Sequence, residues 1–104
     1  MTSDKTTGAL DSRTIIALLT QHGDEIRRRF TVEKIGLFGS YARGEAHSDS
    51  DVDLLVEFEQ PTFDHYMDLK FFLEDLLQIE VDLILADTVK PRLAPYIRRE
   101  VIYA

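Results

Sequence analysis

Cysteine is absent from this chain of 104 residues, which excludes a disulfide framework and any metal site built on thiolates. Long apolar runs are also missing. No stretch approaches the roughly 20 residues that a membrane-spanning helix needs, and the first residues lack the charged-then-apolar pattern of a secretory signal. We therefore expect a cytoplasmic protein that does not associate with membranes.

Positive charge is scarce as well, with 12 lysines and arginines against 19 acidic residues and a net charge of -7. Nonspecific nucleic-acid binding requires a basic surface, so direct nucleic-acid binding is not expected. A nucleotide substrate is still allowed, because a bound metal can invert the local charge. The acidic balance also suits a basic protein partner.

The remaining composition, 44% apolar residues, is enough for one small core. We predict a flexible tail over residues 1–9 and a single α/β domain over residues 10–104. An apolar stripe predicts one helix from a cap at Asp11 or Ser12 to Phe30. The later elements are a strand at 32–38, a short helix at 41–43, a strand at 52–58, a helix at 63–78, a strand at 80–85 and a last helix from Pro95. Apolar side chains at positions 96, 97, 101 and 102 are expected to pack the last helix down.

The stretch from 35 to 58 carries the candidate chemistry. Asp51 and Asp53 begin the second strand, and residues two apart on a strand point to the same face. Two adjacent carboxylates repel each other unless a cation neutralises them. Mg²⁺ suits such oxygen ligands, since it commonly binds through one or two carboxylates together with substrate phosphates.

The turn at Gly39 and Ser40 supplies the complementary half of the site. Backbone N–H groups and a hydroxyl at such a turn can hold a phosphate, and a glycine allows both an unusual backbone conformation and a close approach. The alternative is a plain tight turn with Ser40 as a helix cap. Arg43 lies in the short helix that Gly44 ends, and it either faces a nucleotide or pairs with Glu45 or Asp49.

A third carboxylate, Asp82, lies inside the predicted strand at 80–85. A polar position on an edge strand explains it equally well from the residues alone. Glu57 and Glu59, at the far end of the second strand, are too distant from the aspartate pair to join one metal site. We interpret them as surface charges.

The residues GSYARGE at 39–45, followed by SDVDLLV at 50–56, resemble the signature of the minimal nucleotidyltransferases of the DNA polymerase β superfamily. The resemblance implies the nucleotidyltransferase fold, a small mixed β-sheet flanked by helices. It implies catalytic and metal-binding roles for Asp51, Asp53 and Asp82. It also implies that Gly39 and Ser40 hold the triphosphate, with Arg43 in support.

The same resemblance implies a function. Minimal members of this family resemble the antitoxin of a type VII-like toxin–antitoxin pair, whose partner is a helical HEPN-type ribonuclease toxin. The implied reaction uses two Mg²⁺ ions and transfers AMP from ATP to a toxin tyrosine within a hetero-oligomer. Two alternatives stay open: a non-catalytic module that neutralises its partner by binding alone, and a transferase acting on a small molecule of the aminoglycoside type.

Overall fold

The structure, a computed structural model, describes residues 10–47 and 49–104. The predicted tail at residues 1–9 lies outside this part. Its elements are α1 (Ser12–Gln21), α2 (Gly23–Phe30), β1 (Val32–Phe38), α3 (Ser40–Arg43), β2 (Val52–Phe58), α4 (Phe63–Leu77), β3 (Val81–Leu85), a 3₁₀ turn (Ala86–Thr88), α5 (Ala94–Glu100) and β4 (Ile102–Tyr103). The predicted order of helices and strands is confirmed, with two differences.

The first difference is that the predicted first helix is two helices. The carboxylate of Asp11 accepts the Thr14 N–H at 2.9 Å and caps α1 as expected. The chain leaves helical geometry at His22, where φ is -99° and ψ is 14°. Gly23 follows, and glycine has a low helix propensity. The break leaves the predicted stripe intact, because the buried residues of α1 and α2 still include Ile15 and Ile26.

The sheet has four strands in the order β3-β2-β1-β4. β1 runs antiparallel to both β2 and β4, whereas β2 and β3 are parallel. Parallel neighbours need a long crossover connection, which α4 provides here. The sheet is therefore mixed, as predicted, and helices flank it.

The second difference is β4, which the sequence did not indicate. β4 pairs with β1 through Gly36 and Leu37. A Cβ atom at Gly36 would lie 2.6 Å from Cγ2 of Val101 and 2.9 Å from Cδ1 of Tyr103, so glycine is what allows this close approach. The expectation that Tyr96 packs the last helix down is wrong, since its exposed fraction is 64%. Position 102 is also exposed.

The two faces of the sheet differ. One face packs against α1, α2 and α4 in a continuous apolar core, whose fully buried members include Leu19, Leu37, Leu54 and Leu73. The opposite face of β2 carries Asp53 and two further residues at every second position, and is only partly covered. Among residues 10–47 and 49–104, no helix is long and apolar enough to cross a membrane.

Candidate active site

The predicted carboxylates lie where β2 and β3 begin, and two of them are direct neighbours. The parallel register places Asp53 directly beside Asp82, and Phe38, the last residue of β1, lies opposite Asp53 on the other side. Asp51 immediately precedes β2. Asp53 is half-buried, whereas Asp51 and Asp82 are exposed. The fold thus brings residues from three separate parts of the sequence to one end of the sheet.

The electrostatics of this cluster are unfavourable without a cation. Burial raises the pKa of Asp53 above its ordinary value of 3.8, and the negative charges of Asp82 and Asp51 raise it further. Arg43 opposes this rise in the pKa as a nearby positive charge. A cation between the carboxylates would remove the repulsion and favour the ionised form of Asp53.

The donor set limits how a metal ion could bind here. Within the described residues, no group of three or more histidine, cysteine, aspartate or glutamate side chains is arranged to hold an ion by itself. Adjacent carboxylates that are partly open to solvent nevertheless fit Mg²⁺, which keeps several waters and takes further ligands from substrate phosphates. The residues fit an ion that binds together with a nucleotide.

The turn after β1, at Gly39 and Ser40, lies next to the Asp53 carboxylate. Gly39 has φ of 79° and ψ of -154°, which a side chain opposes. A Cβ atom at Gly39 would also collide with the carboxylate of Asp53. Ser40 follows at the first position of α3, and Gly44 ends that helix with φ of 74°. The predicted conformation of Gly39 and the predicted end of the short helix are both confirmed.

Arg43 makes two ion pairs. Its Nε donates to Oε1 of Glu45 at 3.0 Å, which is one of the two pairings expected from the sequence. Its Nη1 donates to both carboxylate oxygens of Glu100, at 3.2 Å each. These hydrogen bonds raise the pKa of the Arg43 guanidinium above its ordinary value, and the bond to Glu45 contributes more than those to Glu100.

Glu100 also accepts the Gly39 N–H, at 2.8 Å. The sequence did not identify Glu100 as part of the site. It lies at the end of α5, 61 residues from Gly39, beside Arg98 and Arg99. The contact depends on where β4 docks, and no local pattern signals it.

A cavity of about 260 Å³ opens along the same face of the sheet. Its lining includes Leu55 and Glu57 of β2, Ile97 and Arg98 of α5, and Tyr103 of β4. Leu55 shares a strand face with the aspartate two residues before it, so the cavity begins one side chain away from the carboxylates.

Comparison with known proteins identifies the family of this chain. The nucleotidyltransferase domain family matches residues 19–104. The protein adenylyltransferase MntA of Thermococcus cleftensis is 48% identical over 90 residues, which cover 86% of this chain and 91% of that protein. The matched family region, residues 19–104, contains both the turn after β1 and the strand that carries the aspartates.

Two solved structures share the fold. One, assigned provisionally as a minimal nucleotidyltransferase, has a TM-score of 0.72 and 37% identity, and covers 90% of this chain and 96% of that one. The other is a toxin–antitoxin crystal structure with AMP-PNP, with a TM-score of 0.64 and 25% identity over 90% of this chain and 72% of that one. The predicted fold class is confirmed.

Proposed function

Because this chain belongs to the nucleotidyltransferase domain family, we propose that it transfers AMP from ATP to a tyrosine of a partner protein. The observation that carries this proposal is the meeting of Asp53 and Asp82 with the Gly39 turn at one end of the sheet. The extensive identity to a protein adenylyltransferase supports a protein as the acceptor. The likeness to a toxin–antitoxin structure with AMP-PNP supports an adenine nucleotide as the donor.

The carboxylates have the first role. Asp51, Asp53 and Asp82 would hold Mg²⁺, with two ions expected. When bound, such ions supply positive charge that orients the triphosphate and stabilises the charge developing on the leaving group. Burial, followed by repulsion from Asp82 and Asp51, raises the pKa of Asp53. A bound cation would relieve the repulsion, because the carboxylates would gain a partner of opposite charge.

The turn and the acceptor complete the scheme. The Gly39 N–H, the Ser40 hydroxyl and the Arg43 guanidinium would bind the phosphates and fix the α-phosphorus in place. The oxygen of the acceptor hydroxyl forms a bond to that phosphorus. The bond from the α-phosphorus to the bridging oxygen breaks, and pyrophosphate leaves with the bonding electrons. The hydroxyl proton passes to the carboxylate of Asp82, which lies exposed at the edge strand.

The partner in this proposal is a HEPN-type ribonuclease toxin, for which the protein serves as antitoxin in a hetero-oligomer. An apolar surface on α4 supports a protein partner. Phe63 is 77% exposed and Phe71 is 58% exposed on α4. A cavity of about 370 Å³ opens beside Phe63, lined also by Tyr66 and by Leu83 and Ile84 of β3. Exposed apolar surface of this kind is typical of an interaction site.

The same surface favours a second candidate, a module that neutralises its partner by binding alone. The two functions differ in what remains after the proteins separate. Binding depends on concentration and reverses on dilution, whereas transferred AMP persists and adds negative charge to the modified side chain.

The deciding experiment mixes a small amount of this protein with an excess of the toxin, ATP and Mg²⁺. We expect mass spectrometry to find AMP on a toxin tyrosine, and we expect the toxin to stay inactive after this protein is removed. The matched control is the double variant Asp51→Asn/Asp53→Asn, which retains the α4 surface and should bind without leaving a modification. Lasting inactivation by the double variant at the same ratio would replace the enzyme with the binding module.

A further inference from the structure

The Glu100 carboxylate occupies the donors that the proposed function assigns to phosphate. The Gly39 N–H points at its Oε1 at 2.8 Å, and Nη1 of Arg43 contacts both oxygens at 3.2 Å. A carboxylate held by a backbone N–H and a guanidinium satisfies these groups in the same way as a phosphate, since both are oxyanions that accept charge-assisted hydrogen bonds.

Glu100 is an unusual choice for this position, because it brings a further negative charge to a site that already holds three. Its charge contributes to the raised pKa of Asp53, after burial and the other two aspartates. The side chain of Glu100 is only 28% exposed, so water screens it incompletely. Glu100 therefore repels the aspartates but accepts hydrogen bonds from Gly39 and Arg43. A group held by such opposing interactions can be exchanged for another anion.

We propose that Glu100 holds the phosphate-binding position in the nucleotide-free protein and that a nucleoside triphosphate binds by displacing it. This inference rests on the proposed function for the identity of the ligand. In the free protein Glu100 is a positioning residue, because it keeps Arg43 directed at the Gly39 turn. When the triphosphate arrives, its oxygens take over the same donors and the charge of Glu100 moves away from the aspartates.

An internal competitor sets a threshold for binding. A tethered group acts at an effective concentration in the millimolar range, so a weakly held anion such as inorganic phosphate cannot replace it at lower concentrations. A triphosphate can replace it, because the metal ion that the aspartates would hold would give the triphosphate further contacts. Displacement of the Glu100 side chain would also affect the neighbouring cavity. Glu100 ends α5, and the α5 residues Ile97 and Arg98 line that cavity.

The test compares two variants that remove the same charge from the two partners of Arg43. Glu100→Gln removes the competitor, whereas Glu45→Gln removes the other ion pair and leaves the Gly39 N–H untouched. Calorimetry with ATP and with inorganic triphosphate, both with Mg²⁺, should give about tenfold tighter binding for Glu100→Gln, as expected if the site is open about a tenth of the time. We expect less than about twofold for Glu45→Gln. In transfer assays, KM for ATP should fall in Glu100→Gln without a rise in kcat.

A purely structural role predicts the opposite result. Glu100→Gln and Glu100→Ala would then lose affinity along with thermal stability, and that outcome overturns the proposal. So does equal tightening in Glu100→Gln and Glu45→Gln, which would reflect net charge alone. A measurement on the unaltered protein needs no variant: addition of inorganic triphosphate should shift the carbon-13 resonance of the Glu100 carboxyl and leave that of Glu45 in place. If the Glu100 resonance does not move in a protein that binds triphosphate and transfers AMP, this inference is wrong and the proposed function is unaffected.

Discussion

The two faces of the sheet differ in role: one forms the apolar core, and the other carries the candidate active site. The face toward α1, α2 and α4 is dry and apolar, and Leu37 and Leu54 on it have no exposed surface. The other face carries Asp53 and Asp82 side by side, a glycine at position 36 and an open cavity. The alternation of side chains along a strand is enough to separate the two. Stability comes from one face, which leaves the other free to hold repelling charges.

β2 shows the division most clearly. Asp53 and Leu54 are neighbours in sequence, yet one is half-buried among carboxylates and the other is fully buried in the core. The repulsion around Asp53 works against folding, and the buried apolar area around Leu54 offsets it. Substitutions at these two positions should therefore separate activity from stability.

The largest effect is expected from Asp53→Asn. Loss of a carboxylate that would bind metal should reduce AMP transfer by more than about a hundredfold, beyond the 10–100-fold typical of outer-shell partners of a metal. The fold should remain, since the side chain contributes no apolar packing. Labelled AMP incorporation measures the first result and circular dichroism the second. The matched control is Glu57→Gln on the same face of β2, which should transfer normally. Unchanged transfer by Asp53→Asn would contradict the site assignment.

The second effect is on the core face. Leu54→Ala removes a fully buried side chain and should lower the free energy of unfolding by about 2–5 kcal/mol. Urea denaturation followed by circular dichroism gives this value. Ile84→Ala on the opposite face of β3 is the comparison, and it should cost distinctly less because Ile84 is only partly buried. Equal costs at the two positions would mean that the open face is packed as tightly as the core.

The smallest effect is a pH dependence at Asp53. Its pKa in the folded protein lies above the ordinary value of 3.8, so the folded state binds this proton more tightly than the unfolded chain does. Stability therefore falls as pH rises through the folded pKa. In metal-free buffer, Asp53→Asn should melt slightly above the unaltered protein at pH 7, and the gap should close as pH falls toward 3.8. Melting curves across this range check the sign, and a gap that widens in acid would contradict it.

Much of this architecture could be predicted from the sequence because its signals are local. The alternation in 52–58 and the apolar stripes of the helices depend only on neighbouring residues. The same holds for the glycines at 39 and 44, whose turns were predicted and whose positive φ values are 79° and 74°. The pairing of Asp53 with Asp82 is less local. The family resemblance alone assigned Asp82 to the site, since the residues also allowed a polar edge position, and the parallel register beside Asp53 is a finding of the structure.

The features that the sequence did not reveal are those that depend on distant pairing. β4 has only two residues, Ile102 and Tyr103, and backbone hydrogen bonds to β1 hold it regardless of a side-chain pattern. Glu100 enters the site only because β4 docks there. The break at His22 was missed for another reason: the apolar stripe continues across it, and glycine weakens a helix without always ending it.

The docking of the C-terminal segment has a kinetic side. Contacts between residues far apart in sequence require a large loop to close before they stabilise anything, and such contacts slow folding. Gly39 and Glu100 are separated by 61 residues, whereas only residues 39–51, which include α3, separate β1 from β2. We expect the antiparallel pair β1 and β2 and the helices packed on it to assemble first, and the last segment to dock late. During that interval Glu100 would not yet contact the Gly39 N–H and Arg43. A nucleotide present from the start of folding could therefore bind these donors without competition from Glu100.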